Sequence, residues 1–359
     1  MQIKQFFLAV LIGLFSPWLS ASLSIQYWET SSGARVYFVE NHDLPILDIS
    51  VEFAAGSSMD SADKSGRAGL VQHLLSLGAG GLSEDQVATA LADVGAQLKN
   101  QFDRDRAGVS LRTLSSEKER TQALDIFARI IQHPEFPKSV VAREKTRIIA
   151  SIKESSTKPD YIGDRELMKM LYGQHPYGLT ETGEIETLNR LQREDLIAFY
   201  RTHYVAKNAI IAMIGDVTRQ EAAAIAERLT EKLPAKETET MIPAVSIPQA
   251  GIKRISHPAA QSHIQLAYPG LRRNDPDYFP LLVGNHILGG GGFVSRLMEE
   301  VRQQRGLAYS VYSFFSPFKE QGPFLVGLQT KKEQSEDAFA LVQQVLKNFV
   351  ENGPTEAEL

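Results

Sequence analysis

The 359-residue sequence contains no cysteine. Disulfide bonds, cysteine-ligated zinc and thiol nucleophiles are therefore excluded. Positive charge is not in excess, since 38 lysines and arginines face 43 aspartates and glutamates, and no basic stripe stands out. Nucleic acid is therefore not expected as a partner. The glycine run Gly289 to Gly292 lacks the Lys-Ser/Thr that follows a phosphate-binding loop, so it does not predict a nucleotide site.

Long apolar runs are also scarce, and the N-terminal one is typical of a secretory signal peptide. Phe6 to Phe15 follows a single positive charge, and Pro17 separates it from a small-residue cleavage site that ends at Ala21. The run is short for a membrane span, which leaves a retained signal anchor as the alternative. Without a cysteine at the cleavage site, a lipoprotein anchor is excluded. We expect residues 1–21 to be removed and the mature chain, from Ser22, to be periplasmic in a Gram-negative bacterium.

The length favours two domains of about 200 residues each. Strand patterns alternate with helical patterns, which predicts an α+β fold with a sheet covered by helices. A polar segment punctuated by proline, residues 235–250, predicts a linker. The expected domains are therefore 22–234 and 251–359, and the second is expected to repeat the plan of the first.

One predicted helix has apolar side chains at helical spacing and reads Gly69-Leu70-Val71-Gln72-His73-Leu74-Leu75-Ser76. In its surroundings it resembles the M16 (pitrilysin/insulinase-like) zinc peptidases, whose corresponding helix carries His-x-x-Glu-His. That motif supplies two zinc ligands and a glutamate that activates zinc-bound water. On this alignment Gln72, Leu75 and Ser76 stand at the three chemical positions. His73 is one residue out of register, about 100° round the helix. The resemblance implies a family member with no zinc site of its own.

Other motifs carry the same resemblance across residues 25–359. They include a Gly-x-Arg-Val stretch that begins at Gly33, an Ala-Gly-Ser at Gly56, and the turn His175-Pro176-Tyr177-Gly178. The resemblance implies two similar M16-type (LuxS/MPP-like) domains joined by a linker. His175 is expected to be structural or solvated, because a lone histidine in a turn is seldom a ligand.

The third family ligand is a glutamate on a long helix, predicted here from Ser139 to about Ser155. Glu144 matches an earlier family glutamate, and the ligand position falls near Ser151. Glu154 is the nearest carboxylate, three residues further on. We expect Glu144 and Glu154 to be solvated helix residues rather than ligands.

A second family element is retained near the end of the chain. Arg302 precedes Tyr309 by seven residues, the spacing of an arginine and a tyrosine that face the zinc across the chamber in M16 proteins. A guanidinium and a phenol can both donate to a peptide carbonyl and stabilise charge on a tetrahedral intermediate. The alternative is a surface arginine beside a half-buried strand tyrosine. The preceding glycine run, which resembles a family loop at the domain seam, is open to either flexibility or tight packing.

The resemblance implies a non-catalytic subunit of a periplasmic, heterodimeric M16 zinc metallopeptidase. This chain would hold no cofactor; zinc is expected in a partner subunit with intact His-x-x-Glu-His, and Arg302 and Tyr309 would orient the peptide substrate in trans. A peptide-binding or chaperone-like scaffold without proteolytic role is the alternative. An autonomous zinc peptidase is disfavoured, because a hydrolytic zinc needs about three protein ligands. Thr355 and Glu358 predict the start of another helix, so the sequence is suspected to be truncated at Leu359.

Overall fold

The computed structural model describes residues 24–234 and 241–359. The predicted signal peptide and the first six residues of the predicted linker lie outside these ranges. The described part of that linker, from residue 241 to 250, forms neither helix nor strand. Across the described ranges, no helix is both long and apolar enough to cross a membrane.

The first unit is a six-stranded mixed sheet with the strand order β1-β2-β6-β3-β5-β4. Its β2 and β6 are parallel, and the other neighbouring pairs are antiparallel. The strands are β1 (Gln26–Glu29), β2 (Arg35–Glu40), β3 (Ile46–Phe53), β4 (Gln97–Phe102), β5 (Ala107–Leu114) and β6 (Ala209–Gly215).

Helices cover one face of this sheet. Every second residue of β3, from Leu47 to Phe53, is buried, and the intervening side chains are only half-buried. This period of two places one face of the strand in the core. The helices are α1 (Arg67–Leu74), α2 (Glu84–Ala92), α3 (Glu117–Gln132), α4 (Lys138–Ser155), α5 (Pro159–Tyr172), α6 (Ile185–Arg190), α7 (Arg193–His203) and α8 (Arg219–Thr230).

Two of these helices begin with a reciprocal capping pair. The Ser83 hydroxyl accepts from the Gln86 backbone N–H, and the Gln86 side chain accepts from the Ser83 N–H. Thr218 and Glu221 form the same reciprocal pair at the start of α8. Each pair satisfies two of the backbone donors that a helix start leaves without partners.

The second unit contains a three-stranded antiparallel sheet with the order β7-β9-β8. It comprises β7 (Gln261–Pro269), α9 (Tyr278–Asn285), a π-helical segment Met298–Gln304, β8 (Ala308–Phe315), β9 (Pro323–Lys331) and α10 (Ser335–Asn352). The order strand, two helices, two strands, helix repeats that of β3 to α3, and β3-β5-β4 matches β7-β9-β8. The predicted α+β fold with two similar units is therefore confirmed.

The two units contact each other through α5, which belongs to the first unit in sequence and packs on β7 of the second. The contact is close at Gly163, where a Cβ would lie 2.8 Å from the Gln265 side-chain oxygen. The residues after the predicted linker also contact α5, because Lys253 pairs with Glu166 of that helix. The helix thus joins the two sheets.

Candidate functional site

Helix α1 carries the positions at which the family motif would stand, and none of them offers a metal ligand. Gln72 is 4% exposed, and its side-chain amide donates to the Gly108 carbonyl of β5 (3.0 Å). Leu75 is 1% exposed and belongs to the apolar core. Ser76 is half-buried at the end of the helix. The Gln72 amide is hydrogen-bonded to the sheet, and the Leu75 side chain is packed in the core.

The second unit has a counterpart of this arrangement. The sequence Asn285-His286-Ile287-Leu288 follows the pattern of Gln72-His73-Leu74-Leu75. Asn285 is buried, its amide donates to the Ser313 carbonyl of β8 (3.1 Å), and the Ser313 hydroxyl donates back (2.7 Å). In both units a buried amide ties the helix to a strand, so Gln72 occupies a structural position.

His73 contacts Glu144 on α4, a pairing that the sequence analysis did not predict. His73 Nε2 donates to Glu144 Oε2 (2.8 Å), and Arg143 Nε donates to the other carboxylate oxygen (2.8 Å). Glu144 is only 1% exposed, so the expectation of a solvated residue was wrong. Burial opposes ionisation of the Glu144 carboxyl, but the hydrogen bonds from His73 and Arg143 outweigh it and hold its pKa below the usual range.

Replacing Glu144 by Gln is expected to destabilise the fold by about 2 kcal/mol at neutral pH, because the charge-assisted contacts from Arg143 and Arg147 and the hydrogen bond from His73 are weakened. The depressed pKa of Glu144 means that this stabilisation is present above pH 4.5 and is lost as the pH falls through the lower, folded-state pKa. Urea unfolding of both proteins from pH 8 to pH 3 measures the difference. A gap between the two proteins that stays constant to pH 3 would contradict this assignment.

The remaining ligand position and its nearest carboxylate lie at the surface. Ser151 is exposed, and Glu154 is exposed and pairs with Lys158 (3.3 Å) one turn further along. The expectation that Glu154 is solvated is confirmed. Among the residues of 24–234 and 241–359, no group of three His, Asp or Glu side chains could hold a metal ion. The residues at the family positions therefore do not fit zinc.

The His-Pro-Tyr-Gly turn lies between the two units. His175 Nδ1 accepts from the Tyr177 N–H, and His175 Nε2 donates to the Pro243 carbonyl (2.8 Å), so this histidine is structural. The fully buried Tyr177 donates its hydroxyl to Asp105 (2.7 Å). Asp105 also pairs with Arg273 of the second unit (2.9 Å).

Asp105 is a residue that the sequence analysis missed. It lies in the turn between β4 and β5, is 4% exposed, and accepts the Lys319 backbone N–H (2.6 Å) as well as the Tyr177 hydroxyl. Only the polar sequence Asp103-Arg104-Asp105-Arg106 marked this turn, and its partners lie 72 and 214 residues away. Local sequence carries no signal for such contacts.

Arg302 and Tyr309 are close together, as their spacing suggested. The Arg302 guanidinium lies 5.0 Å from the centre of the Tyr309 ring and 4.7 Å from that of Phe293. Tyr309 is the extra residue of a bulge in β8, between the paired residues Ala308 and Ser310, and it is 81% exposed. Bulges redirect side chains and are common beside functional sites.

The glycine run lines the same cavity as Arg302 and Tyr309. A Cβ on Gly289 would lie 2.4 Å from the Ser313 hydroxyl, and one on Gly290 would lie 2.5 Å from the Asn285 amide. Tight packing is therefore the role that the structure gives these two glycines. Between this run and β8 lies an open cavity of about 480 Å³, lined by Arg302 and Tyr309 together with aromatic, aliphatic and small side chains.

Comparisons with known proteins agree with this geometry. The family model for insulinase (peptidase family M16) matches residues 35–183, and the model for the peptidase M16 inactive domain matches residues 190–359. A crystal structure of a peptidase M16 inactive domain from Pseudomonas fluorescens superposes with a TM-score of 0.92. It is 40% identical, and the match covers 94% of this chain and 81% of that one.

Two curated relatives differ in how they are described. An uncharacterised zinc protease YmxG of Bacillus subtilis is 24% identical over 93% of this chain and 81% of its own length. A non-peptidase homologue YmxG of Helicobacter pylori is 25% identical over 99% of this chain and 82% of its own length. The repeated α+β units and the substituted motif define a metallopeptidase-type fold without the metal ligands at the motif positions. The chain belongs to the M16 peptidase family.

Proposed function

We propose that this chain is the non-catalytic subunit of a periplasmic, heterodimeric M16 metallopeptidase. The observation that carries the proposal is the contrast between two sites in one chain. The motif positions hold a sheet-bound amide and a core leucine, whereas the half-buried Arg302 and the exposed Tyr309 lie close together at the edge of a cavity. A substrate-orienting pair is useful only if hydrolytic groups come from elsewhere, which points to a partner with intact His-x-x-Glu-His and its zinc.

In that complex, the residues of this chain bind and orient the peptide. The planar Arg302 guanidinium presents several N–H donors in a fixed geometry, and Tyr309 adds one O–H donor. Both can donate to the carbonyl of the bond to be cleaved. The Tyr309 bulge and the Phe293 ring hold the guanidinium between two aromatic faces, which reduces the motion lost on binding.

The purified chain, by itself, is expected to bind no stoichiometric zinc and to cleave no peptide. Addition of an M16 chain with intact His-x-x-Glu-His, taken first from a neighbouring gene, is expected to yield a complex that hydrolyses peptides. Zinc content after dialysis and cleavage of a fluorogenic peptide library measure the two results. One equivalent of zinc that disappears in His73→Ala would overturn the assignment of the motif positions. A partner that is fully active without this chain would favour the scaffold alternative.

The location is part of the same proposal and has its own test. If residues 1–21 direct export, the protein is expected in the periplasmic fraction, with an N-terminus near Ser22. Osmotic-shock fractionation followed by N-terminal sequencing measures both. An intact Met1 in the membrane fraction would show that the segment is a retained anchor.

A further inference from the structure

The cavity beside Arg302 has an unusual charge balance. Its wall contains Phe293, Met298, Tyr312 and Phe314 beside glycines and small polar side chains, and Arg302 is the one charged residue among the described residues that line it. No carboxylate lines this cavity within the described residues. A volume of about 480 Å³ lies in the range of small-ligand sites. The cavity therefore offers a positive charge at the edge of an apolar, aromatic surface.

Arg302 also differs from its neighbours in its partners. On the same helical stretch, Arg296 pairs with Glu358 (2.5 Å) and Arg305 pairs with Glu300 (2.5 Å). Arg302 has the rings of Phe293 and Tyr309 as partners, and no carboxylate of residues 24–234 or 241–359 lies within ion-pair distance of it. Stacking engages the faces of a guanidinium and leaves its edge N–H groups free for two parallel bonds to a carboxylate.

We propose that this cavity binds the free C-terminal carboxylate of a peptide whose last side chain is aromatic or aliphatic. The Arg302 guanidinium binds the carboxylate, and the terminal side chain packs against the aromatic wall. An internal peptide carbonyl is neutral and presents a single oxygen, so it cannot satisfy both edge N–H groups as a carboxylate does.

This inference rests on the proposed function and identifies the ligand as the acyl product of cleavage. Hydrolysis breaks the C–N bond and forms a C–O bond with water. The amine fragment leaves with a proton, and the acyl fragment acquires a carboxylate where its carbonyl was. The same guanidinium that orients the carbonyl before cleavage therefore holds the new C-terminus after it, and release of this fragment becomes a step that Arg302 slows.

The test uses the chain without a partner. An N-terminally fluorescein-labelled octapeptide of alanine and serine, ending in phenylalanine, is prepared as the free acid and as the C-terminal amide. Fluorescence anisotropy measures the Kd of both for the wild type, Arg302→Gln and Arg305→Gln. We expect the acid to bind about tenfold more tightly than the amide, because a charge-assisted bidentate contact is gained. Arg302→Gln should abolish this preference and Arg305→Gln should retain it.

Three results would overturn the inference. They are equal binding of acid and amide by the wild type, absence of measurable binding of either, and an undiminished acid preference in Arg302→Gln. The acid-to-amide ratio of the wild type needs no variant, so a folding defect cannot mimic it. The proposed function is tested separately by cleavage in the reconstituted pair. The two assays are independent. Arg302 can contribute to cleavage when the acid peptide shows no preferential binding, and the acid peptide can bind preferentially when the reconstituted pair does not cleave.

Discussion

Replacing Tyr309 by Phe is expected to lower kcat of the reconstituted complex about 100-fold, or roughly 3 kcal/mol, while KM changes little. The phenol would donate to the substrate carbonyl oxygen, and that bond strengthens only as negative charge develops on the oxygen. A contact of this kind contributes to kcat rather than to substrate binding. The substitution removes one hydroxyl and keeps the ring that stacks on Arg302.

Arg302→Ala is the companion variant, and Arg305→Ala is its matched control. Arg305 lies three residues further along the chain, is exposed, and pairs with Glu300 rather than lining the cavity. We expect Arg302→Ala to reduce kcat at least as much as Tyr309→Phe, and Arg305→Ala to leave it within about twofold. Steady-state hydrolysis by each complex, after gel filtration has shown assembly, supplies the values. Assembled Arg302→Ala and Tyr309→Phe complexes that cleave at the wild-type rate would favour the scaffold function.

The parts of the fold that depend on local contacts can be predicted from local sequence. The Ser83 and Thr218 caps involve residues three apart, so their chemistry is visible in the chain itself. The period-two pattern of β3 and the apolar spacing of α1 likewise follow from short-range rules. The spacing of Arg302 and Tyr309 is of the same kind, because one helix end and the following strand bring the two together.

The parts that could not be predicted depend on distant partners. The sequence predicts that Glu144 is a solvated helix residue, because its hydrogen-bond partner His73 lies 71 residues away in the chain. A carboxylate can be buried at this position because Arg143 and Arg147 pair with it and His73 donates to it. The packing of α5 on β7 also cannot be predicted from the sequence. A helical pattern shows which face of a helix is apolar, but it does not show which sheet that face will contact.

The motif positions illustrate a further limit. Sequence shows that Gln72, Leu75 and Ser76 cannot ligate zinc, but it does not show what they do instead. The structure gives Gln72 a hydrogen bond to β5, and Asn285 of the second unit donates to β8, the strand that corresponds to β4. Both units thus have a buried helix amide bonded to a strand, although the two strands do not correspond. An alignment of the two units with each other, which matches Gln72 with Asn285, could have indicated that Gln72 is structural.

The contact between the two units is expected to depend on Asp105 more than on any surface ion pair. Its carboxylate accepts the Tyr177 hydroxyl and the Lys319 N–H and pairs with Arg273, all at a 4% exposed position. Asp105→Ala leaves a buried hydroxyl and a backbone donor without their acceptor, and it leaves Arg273 with Asp103 as its remaining carboxylate partner. Removing one partner of a buried, hydrogen-bonded charge typically costs about 3–5 kcal/mol. We therefore expect a loss of about 3 kcal/mol in the free energy of unfolding.

Asp48→Ala provides the matched control, because Asp48 also makes a two-fold contact with an arginine, at 2.7 and 2.8 Å from Arg112, but on the exposed face of the first sheet. Surface pairs of this kind contribute about 0–1 kcal/mol. Urea unfolding followed by circular dichroism gives both values. Hydrogen exchange adds a local readout, since the Lys319 amide should lose its protection in Asp105→Ala while the amides of β3 keep theirs. If Asp105→Ala is no more destabilising than Asp48→Ala and the Lys319 amide stays protected, the units are held together by α5 and its apolar contacts, and the Asp105 network contributes nothing to their docking.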